Sequence, residues 1–166
     1  MKFEIAIDPG KHGCGLAMFL DGLLVHAEYV SGLGGQRHPL LEPVAGVAKI
    51  LESARDAGEI ETVVIERPKI YDAAHQKGDQ RDIADLLIVA GGLACAASLV
   101  SRAVLFVEPA QWKGQTSTEI IEHRLQKHLS TEEHEKIEWP RARKTLGHNV
   151  VDAVGIGLWH VGRMGA

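Results

Sequence analysis

Short runs rich in apolar residues, separated by turn-forming residues, occupy the first thirty positions of the chain. Asp21 and Gly22 separate two of these runs, and an Asp-Gly pair in that position is typical of a tight hairpin turn. From Leu40 to Ala57 the apolar residues follow the helical period instead, and Gly58 is placed to end the helix. The pattern therefore predicts a helix preceded by three strands, at residues 3–8, 14–20 and 23–30.

Strands and helices alternate along the remainder of the chain. Two apolar runs, ETVVIERP and AVLFVEP, end in an acid closely followed by proline and are predicted as the fourth and fifth strands. Crossover connections join parallel strands that have helices on both faces. This order favours one domain, residues 1–166, with three α/β/α layers and a mixed five-stranded sheet (an antiparallel meander plus two parallel strands). The other predicted elements are helices at 81–101, 117–128 and 148–161 and a charged segment at 130–146.

The run IADLLIVAGGLACAASLV is apolar enough to raise the question of a membrane span. It includes Asp85 and lacks flanking aromatic or basic anchors, so a buried helix is favoured and no membrane association is expected. Its small residues would let another backbone approach closely, either that of the chain's own sheet or that of a second copy across a homodimer seam. These residues are Gly91, Gly92, Ala94, Ala96 and Ala97.

Composition is that of a soluble globular protein, with 45% hydrophobic and 24% charged residues. The N-terminus has no basic segment or cleavage site of a signal peptide. Cys14 and Cys95 make neither a metal-binding spacing nor a disulfide framework, which predicts a cytoplasmic protein. The formal net charge of −4 argues mildly against a nucleic-acid binder, unless the acids are concentrated in a site and the bases cluster locally.

Three carboxylates occupy positions that this fold would bring together. Asp8 ends the first strand and Glu66 the fourth, and parallel neighbours end at the same edge of a sheet, where α/β proteins bind ligands. Asp152 lies on the last helix, on a face that it can share with His148 and Asn149. The glycines of the stretch DPGKHGCG would let a phosphate backbone approach Asp8.

Acids gathered in one pocket repel one another unless a positive charge compensates them. Oxygen ligands with few nitrogens favour Mg²⁺, for which Mn²⁺ can substitute. Two such ions about 4 Å apart can activate water and stabilise the leaving oxygen of a phosphodiester. Taken singly, Asp8 could be a turn residue and Glu66 an exposed strand end, whereas a lone buried acid such as Asp152 would be costly.

Four stretches in order, IAIDPGKHGCGLA, VVIERP, PAQWKG and HNVVDAVGIGLWH, resemble the RuvC-like Holliday-junction resolvases of the RNase H-like superfamily, particularly phage-type members. The resemblance extends over nearly the whole chain. It implies an RNase H-like fold in which Asp8, Glu66 and Asp152 bind catalytic metal ions. It also implies a crossover junction endodeoxyribonuclease, a homodimer that resolves four-way DNA junctions by paired phosphodiester hydrolysis.

The resemblance assigns roles to further residues. The family's fourth metal ligand, an Asp or His, falls on Asn149, so whether His148, Asn149 or neither completes the metal site stays open. His148 could instead act as a general acid or base. Lys113 matches a lysine that lies near the scissile phosphate, where a cation stabilises developing charge. Trp112 beside it is interpreted as a core or loop anchor.

The loop after the fourth strand is expected to contact branched DNA. The resemblance implies an aromatic residue near the junction centre, and Tyr71 would stack there on an unpaired base. Basic residues of this loop are candidate phosphate contacts, although a solvated charged loop would look the same. They are Arg67, Lys69, Lys77 and Arg81.

Two alternative functions stay open. A ribonuclease H acting on RNA–DNA hybrids would take a glutamate from the first helix and an aspartate from the fourth strand, whereas here the strand ends in Glu66 and the helix offers Glu42 and Glu52. A non-catalytic nucleic-acid or protein-interaction module on the same fold is the other alternative.

Overall fold

A computed structural model describes residues 1–32, 35, 38–68, 79–114 and 116–165. The strands are β1 (Lys2–Asp8), β2 (Gly13–Leu20), β3 (Leu23–Ser31), β4 (Glu59–Glu66), β5 (Ser101–Val107) and β6 (Ile137–Glu138). The helices are α1 (Leu41–Ala57), α2 (Gln80–Ser98), α3 (Pro109–Trp112), α4 (Thr118–His128), α5 (Thr131–His134) and α6 (Arg143–His160). Within these described ranges, no helix combines the length and the apolarity that crossing a membrane would require.

The strands form one sheet in the order β5-β4-β1-β2-β3-β6. β1, β2 and β3 make an antiparallel meander, while β4 and β5 run parallel to β1, as predicted. The left-handed backbone of Asp21 and Gly22, at φ of 52° and 80°, makes the predicted hairpin turn between β2 and β3. The predicted α/β/α architecture, with a mixed sheet between two helical layers, is confirmed.

In the part of the chain that the structure describes, the sheet has six strands rather than the five predicted. The additional strand, β6, has only two residues and pairs parallel with β3. It lies in the segment 130–146, which is charged and was predicted without a strand. A strand of two residues is too short to produce an apolar alternation, so tertiary pairing and not local pattern decides its formation.

A hydrophobic core lies on each face of the sheet, and the side chains of β1 point alternately into one core and the other. Phe3, Ile5 and Ile7 point into a core shared with α1 and α2. The intervening Ala6 points into the opposite core, which α6 fills. Because successive side chains of a strand point to opposite faces, Asp8 lies on the α6 side of the sheet.

Helix α6 begins at Arg143 rather than at the predicted 148. Its first turn is polar and gives no apolar period, but contacts with neighbouring elements stabilise it. The Arg143 guanidinium lies 3.8 Å from the centre of the Trp139 ring and donates a 3.0 Å hydrogen bond to Glu122. Tertiary contacts therefore extend the helix beyond the segment that the sequence pattern predicts.

Two glycines allow α6 to lie directly against β2. A Cβ atom at Gly15 would stand 1.9 Å from the carbonyl oxygen of Asn149, and one at Gly157 would stand 2.1 Å from the ring of Phe19. The prediction that Gly15 leaves space for a phosphate backbone is wrong, because α6 occupies that space. Gly15 instead brings the helix close to Asp8, its partner across the strand pair.

A partly buried ion pair joins α5 to the segment that follows α6. The carboxylate of Glu133 accepts hydrogen bonds of 2.9 Å from the backbone N–H groups of Leu24 and Ser130, and it pairs with Arg163. Burial alone would raise the pKa of Glu133, but the hydrogen bonds from Arg163 and from the two backbone groups lower it to about 2. Glu133 thus ties the β2–β3 hairpin to the C-terminal segment.

We expect Glu133→Gln to lower the free energy of unfolding by about 2–3 kcal/mol at pH 7, because Arg163 would keep its charge without a charged partner. The folded-state pKa lies below the ordinary 4.5, so the contribution of Glu133 is complete above pH 4.5 and is lost as the pH falls towards 2. Urea unfolding across this range measures the difference. Exposed Glu132→Gln is the matched control, and an equal loss in both variants at pH 7 would contradict the prediction.

Candidate active site

Asp8 and Glu66 end neighbouring parallel strands at the same level of the sheet. Ile7 of β1 pairs with Ile65 of β4, so the next residue of each strand carries a carboxylate at a common edge. Asp8 is buried and Glu66 is half-buried. The fold therefore supplies two acids by strand register alone.

Helix α6 brings two more polar side chains to this edge. The Nδ2 of Asn149 donates a 3.0 Å hydrogen bond to Oδ2 of Asp8. Asp152, one helical turn later and also buried, accepts a 2.6 Å hydrogen bond on Oδ2 from Nζ of Lys113. The other oxygen of Asp152, Oδ1, is buried without a hydrogen-bond partner among the described residues.

The acids line an open cleft of about 430 Å³. The β1–β2 loop forms one side of it, and Lys11 of this loop pairs with Asp82 at the start of α2. Exposed His148, on the second turn of α6, lies on the rim of the cleft. The cleft is open to solvent on the side that carries the three carboxylates.

The electrostatics of the cleft are those of crowded negative charges. Burial, with the charges of Glu66 and Asp152, raises the pKa of Asp8 well above its ordinary value, and burial also raises the pKa of Glu66. Burial by itself would lower the pKa of Lys113, but Asp152, Glu66 and Asp8 raise it above its ordinary value. Lys113 thus stays charged and partly compensates the acids.

The donor set fits a hard divalent cation. Asp8, Glu66 and Asp152 would hold it, since Mg²⁺ and Mn²⁺ prefer carboxylate oxygens and the buried Oδ1 of Asp152 has no hydrogen-bond partner among the described residues. In the described ranges, no three acidic, histidine or cysteine side chains are spaced to hold one ion as they stand. Lys113 lies among the acids and pairs with Asp152.

Comparison with known proteins identifies the fold. No family model and no curated protein matches the chain. Among solved structures, it is similar to Thermus thermophilus RuvC in complex with a Holliday junction substrate, with a TM-score of 0.64 and 24% identity over 96% of this chain and 92% of that one. The chain has the RuvC fold. At this identity the likeness establishes the fold and not the activity.

Two further structures share this RuvC fold. Another structure of Thermus thermophilus RuvC has a TM-score of 0.60 and 23% identity over 95% of this chain and 92% of that one. The yeast mitochondrial Holliday junction resolvase Ydc2 has a TM-score of 0.51 and 11% identity over 96% of this chain and 79% of that one. The resemblance to RuvC-like resolvases seen in the sequence is thus confirmed for the fold.

The structure brings together the predicted site residues from four distant parts of this RuvC-like chain. Asp8, Glu66, Asp152 and Lys113 interact with one another, and Asn149 contacts Asp8. Asn149 presents its amide donor to Asp8, whereas a metal ligand would present Oδ1. His148 lines the rim instead of contacting Asp8, so the fourth ligand position stays a prediction for either residue.

Two of the predicted DNA contacts lie in the described part of the chain. Arg67 is exposed and pairs with Glu108, and Arg81 is exposed in the first turn of α2. Lys69, Tyr71 and Lys77 lie outside the described residues. Sequence reasoning missed the contact of Trp112 with Glu66, in which Nε1 donates a 2.6 Å hydrogen bond to Oε2. The position of Trp112 directly before Lys113, a predicted site residue, was the one feature of the sequence that could have indicated this contact.

We expect Asp8→Asn to raise the free energy of unfolding at pH 7 to 8 in buffer containing EDTA, because it removes a buried charge that Glu66 and Asp152 repel. The raised folded-state pKa means that the penalty of Asp8 grows as the pH rises above its ordinary value of 3.8 and disappears below it. Thermal unfolding at pH 3.5 and pH 7.5 tests this. Each kcal/mol gained in the free energy of unfolding should raise the Tm by about 2–4 °C. Exposed Asp21→Asn is the control for charge removal, and equal shifts in both variants would refute the prediction.

Proposed function

We propose that the chain is a divalent-metal-dependent endonuclease that resolves four-way DNA junctions, a crossover junction endodeoxyribonuclease. The observation that supports this most directly is the meeting of Asp8, Glu66 and Asp152 in one open cleft of a RuvC fold, with Lys113 paired to Asp152. A structure with this fold was solved with a Holliday junction substrate. The free thiols of Cys14 and Cys95 suit a reducing cytoplasm.

Bound Mg²⁺, or Mn²⁺ in its place, would activate water and stabilise the charge on a phosphodiester. Asp8, Glu66 and Asp152 would hold the metal. Lys113 keeps its proton among these acids, so its ammonium group would stabilise the negative charge that develops on the phosphate. His148, exposed at the rim, would serve as the general acid or base in this proposal.

The experiment that tests this function is a cleavage panel with Mg²⁺, Mn²⁺ or EDTA. Its substrates are a four-way junction, a linear duplex, a flap and an RNA–DNA hybrid. We expect metal-dependent, paired cuts in the junction. Cleavage of the hybrid alone would instead support a ribonuclease H, although neither Glu42 nor Glu52 is among the described residues that line the cleft. Junction binding without any cleavage would favour the non-catalytic module.

We expect Asp8→Asn to bind the junction with unchanged affinity while cleaving it more than about 100-fold more slowly, because it removes one metal-binding charge. Gel-shift and single-turnover cleavage assays measure the two quantities separately. Asp21→Asn serves again as the matched control. If Asp8→Asn cuts at the wild-type rate, Asp8 has no part in the reaction.

The proposed protein is a homodimer, because a two-fold junction requires two sites for paired cuts. Both sequence-based readings of the small residues in α2 find support. Leu93 and Ala97 pack on the chain's own sheet and Gly92 contacts Val44 of α1. On the outer face, a Cβ atom added at Gly91 would meet no neighbouring atom of the described chain within 4 Å, and Ile88 is 54% exposed.

Nearby strand β5 adds further exposed apolar surface, including Phe106 at 47% exposure. We expect Ile88→Glu to convert the dimer to a monomer by burying an unpaired charge at the interface. Ile120→Glu on α4, at a position 52% exposed, is the matched control and should remain dimeric. Sedimentation equilibrium decides, and a wild-type protein that is monomeric, or a dimer insensitive to Ile88→Glu, would exclude this face.

A further inference from the structure

Trp112 is a buried aromatic residue that contacts the active site directly. Its side chain has no exposed surface, and its Nε1 lies 2.6 Å from Oε2 of Glu66. A buried indole N–H requires an acceptor, and here the acceptor is a carboxylate of the site. A hydrogen bond to an ionised acceptor is about twice as strong as one between neutral groups.

The turn that carries Trp112 is fixed to the backbone on the far side of Glu66. The N–H of Arg67 donates a 2.8 Å hydrogen bond to the carbonyl of Val107, and the Arg67 side chain pairs with Glu108. The N–H of Glu108 in turn donates a 2.8 Å hydrogen bond to the side chain of Gln111. Helix α3 is therefore held in a defined position relative to the end of β4.

The same turn also contacts α6. The ring of Trp112 lies against Gly155, where an added Cβ would stand 2.5 Å from the ring carbon Cζ3. Gly155 lies close to Asp152 on the helix, and Lys113, the next residue after Trp112, donates a hydrogen bond to Asp152. The Lys113 ammonium lies 4.8 Å from the centre of the Trp112 ring. One short turn thus contacts two of the three acids.

We propose that Trp112 is a positioning residue for phosphodiester cleavage: its indole N–H holds the Glu66 carboxylate in the orientation in which it binds the catalytic metal. This inference rests on the proposed function. Without the bond, the glutamate side chain retains rotamer freedom, which metal binding would have to overcome. Partners that orient metal ligands change metal affinity or activity by about 10–100-fold when they are removed.

The test compares Trp112→Phe, which keeps an aromatic ring but removes the donor, with Trp159→Phe. Trp159 lies on α6 and is half-buried against the same core. The second variant therefore makes the same substitution on the same side of the sheet. Isothermal titration calorimetry with Mn²⁺ alone measures metal affinity. Single-turnover cleavage at saturating Mg²⁺ and junction binding in EDTA separate catalysis from substrate affinity.

We expect Trp112→Phe to bind Mn²⁺ about 10-fold more weakly and to cleave about 10–100-fold more slowly at an unchanged junction affinity, whereas Trp159→Phe keeps wild-type values. Metal affinity and cleavage unchanged in Trp112→Phe would overturn the inference alone, and so would equal losses in both variants. A wild-type protein that neither binds Mn²⁺ nor cleaves a junction would overturn the proposed function and this inference with it.

A second variant tests the bond without removing the indole. Gly155→Ala forces the Trp112 ring to move and should weaken Mn²⁺ binding in the same direction as Trp112→Phe. The indole N–H resonance of Trp112, assigned through Trp112→Phe, gives a readout that needs no metal. In the wild type this N–H should resist hydrogen exchange, and Glu66→Ala should make it exchange faster. An unchanged exchange rate in Glu66→Ala would show that Glu66 does not hold the indole.

Discussion

Repulsion between carboxylates at a buried edge of the sheet is the constraint on which the arrangement of the cleft residues depends. Asp8 lies in a setting where burial and the charges of Glu66 and Asp152 all oppose its ionisation. Among the described residues, the ammonium group of Lys113 and the side-chain amide of Asn149 offset this repulsion by donating hydrogen bonds to Asp152 and Asp8. A fold that tolerates such a cluster sacrifices stability for a site that attracts cations, as active sites commonly do.

Helix α6 satisfies the needs of the core and of the site together. Most of its residues are buried, and its glycines let it approach β2 and Trp112 more closely than any side chain would permit. The same close packing brings Asn149 to Asp8. A substitution that alters the packing of α6 should therefore also move the side chains that α6 contributes to the cleft.

Local patterns in the sequence predicted most of the layers and the acids, because strand ends and helical spacing are local properties. Asp8, Glu66 and Asp152 were found in this way. Strand β6 was missed, since it is decided by pairing with a distant strand. The bond between Trp112 and Glu66 joins residues 46 positions apart, and no periodicity encodes it. The side-chain amide orientation of Asn149 likewise depends on its partner and not on its neighbours in sequence.

The separation of the cleft residues along the chain has a consequence for folding. The hydrogen bond between Asn149 and Asp8 joins residues 141 positions apart. The entropy of closing so long a loop must be overcome before such a contact stabilises the fold. If the proposed reaction is correct, a chain in which α6 has not yet docked on the sheet cannot cut nucleic acid, because its acids have not gathered.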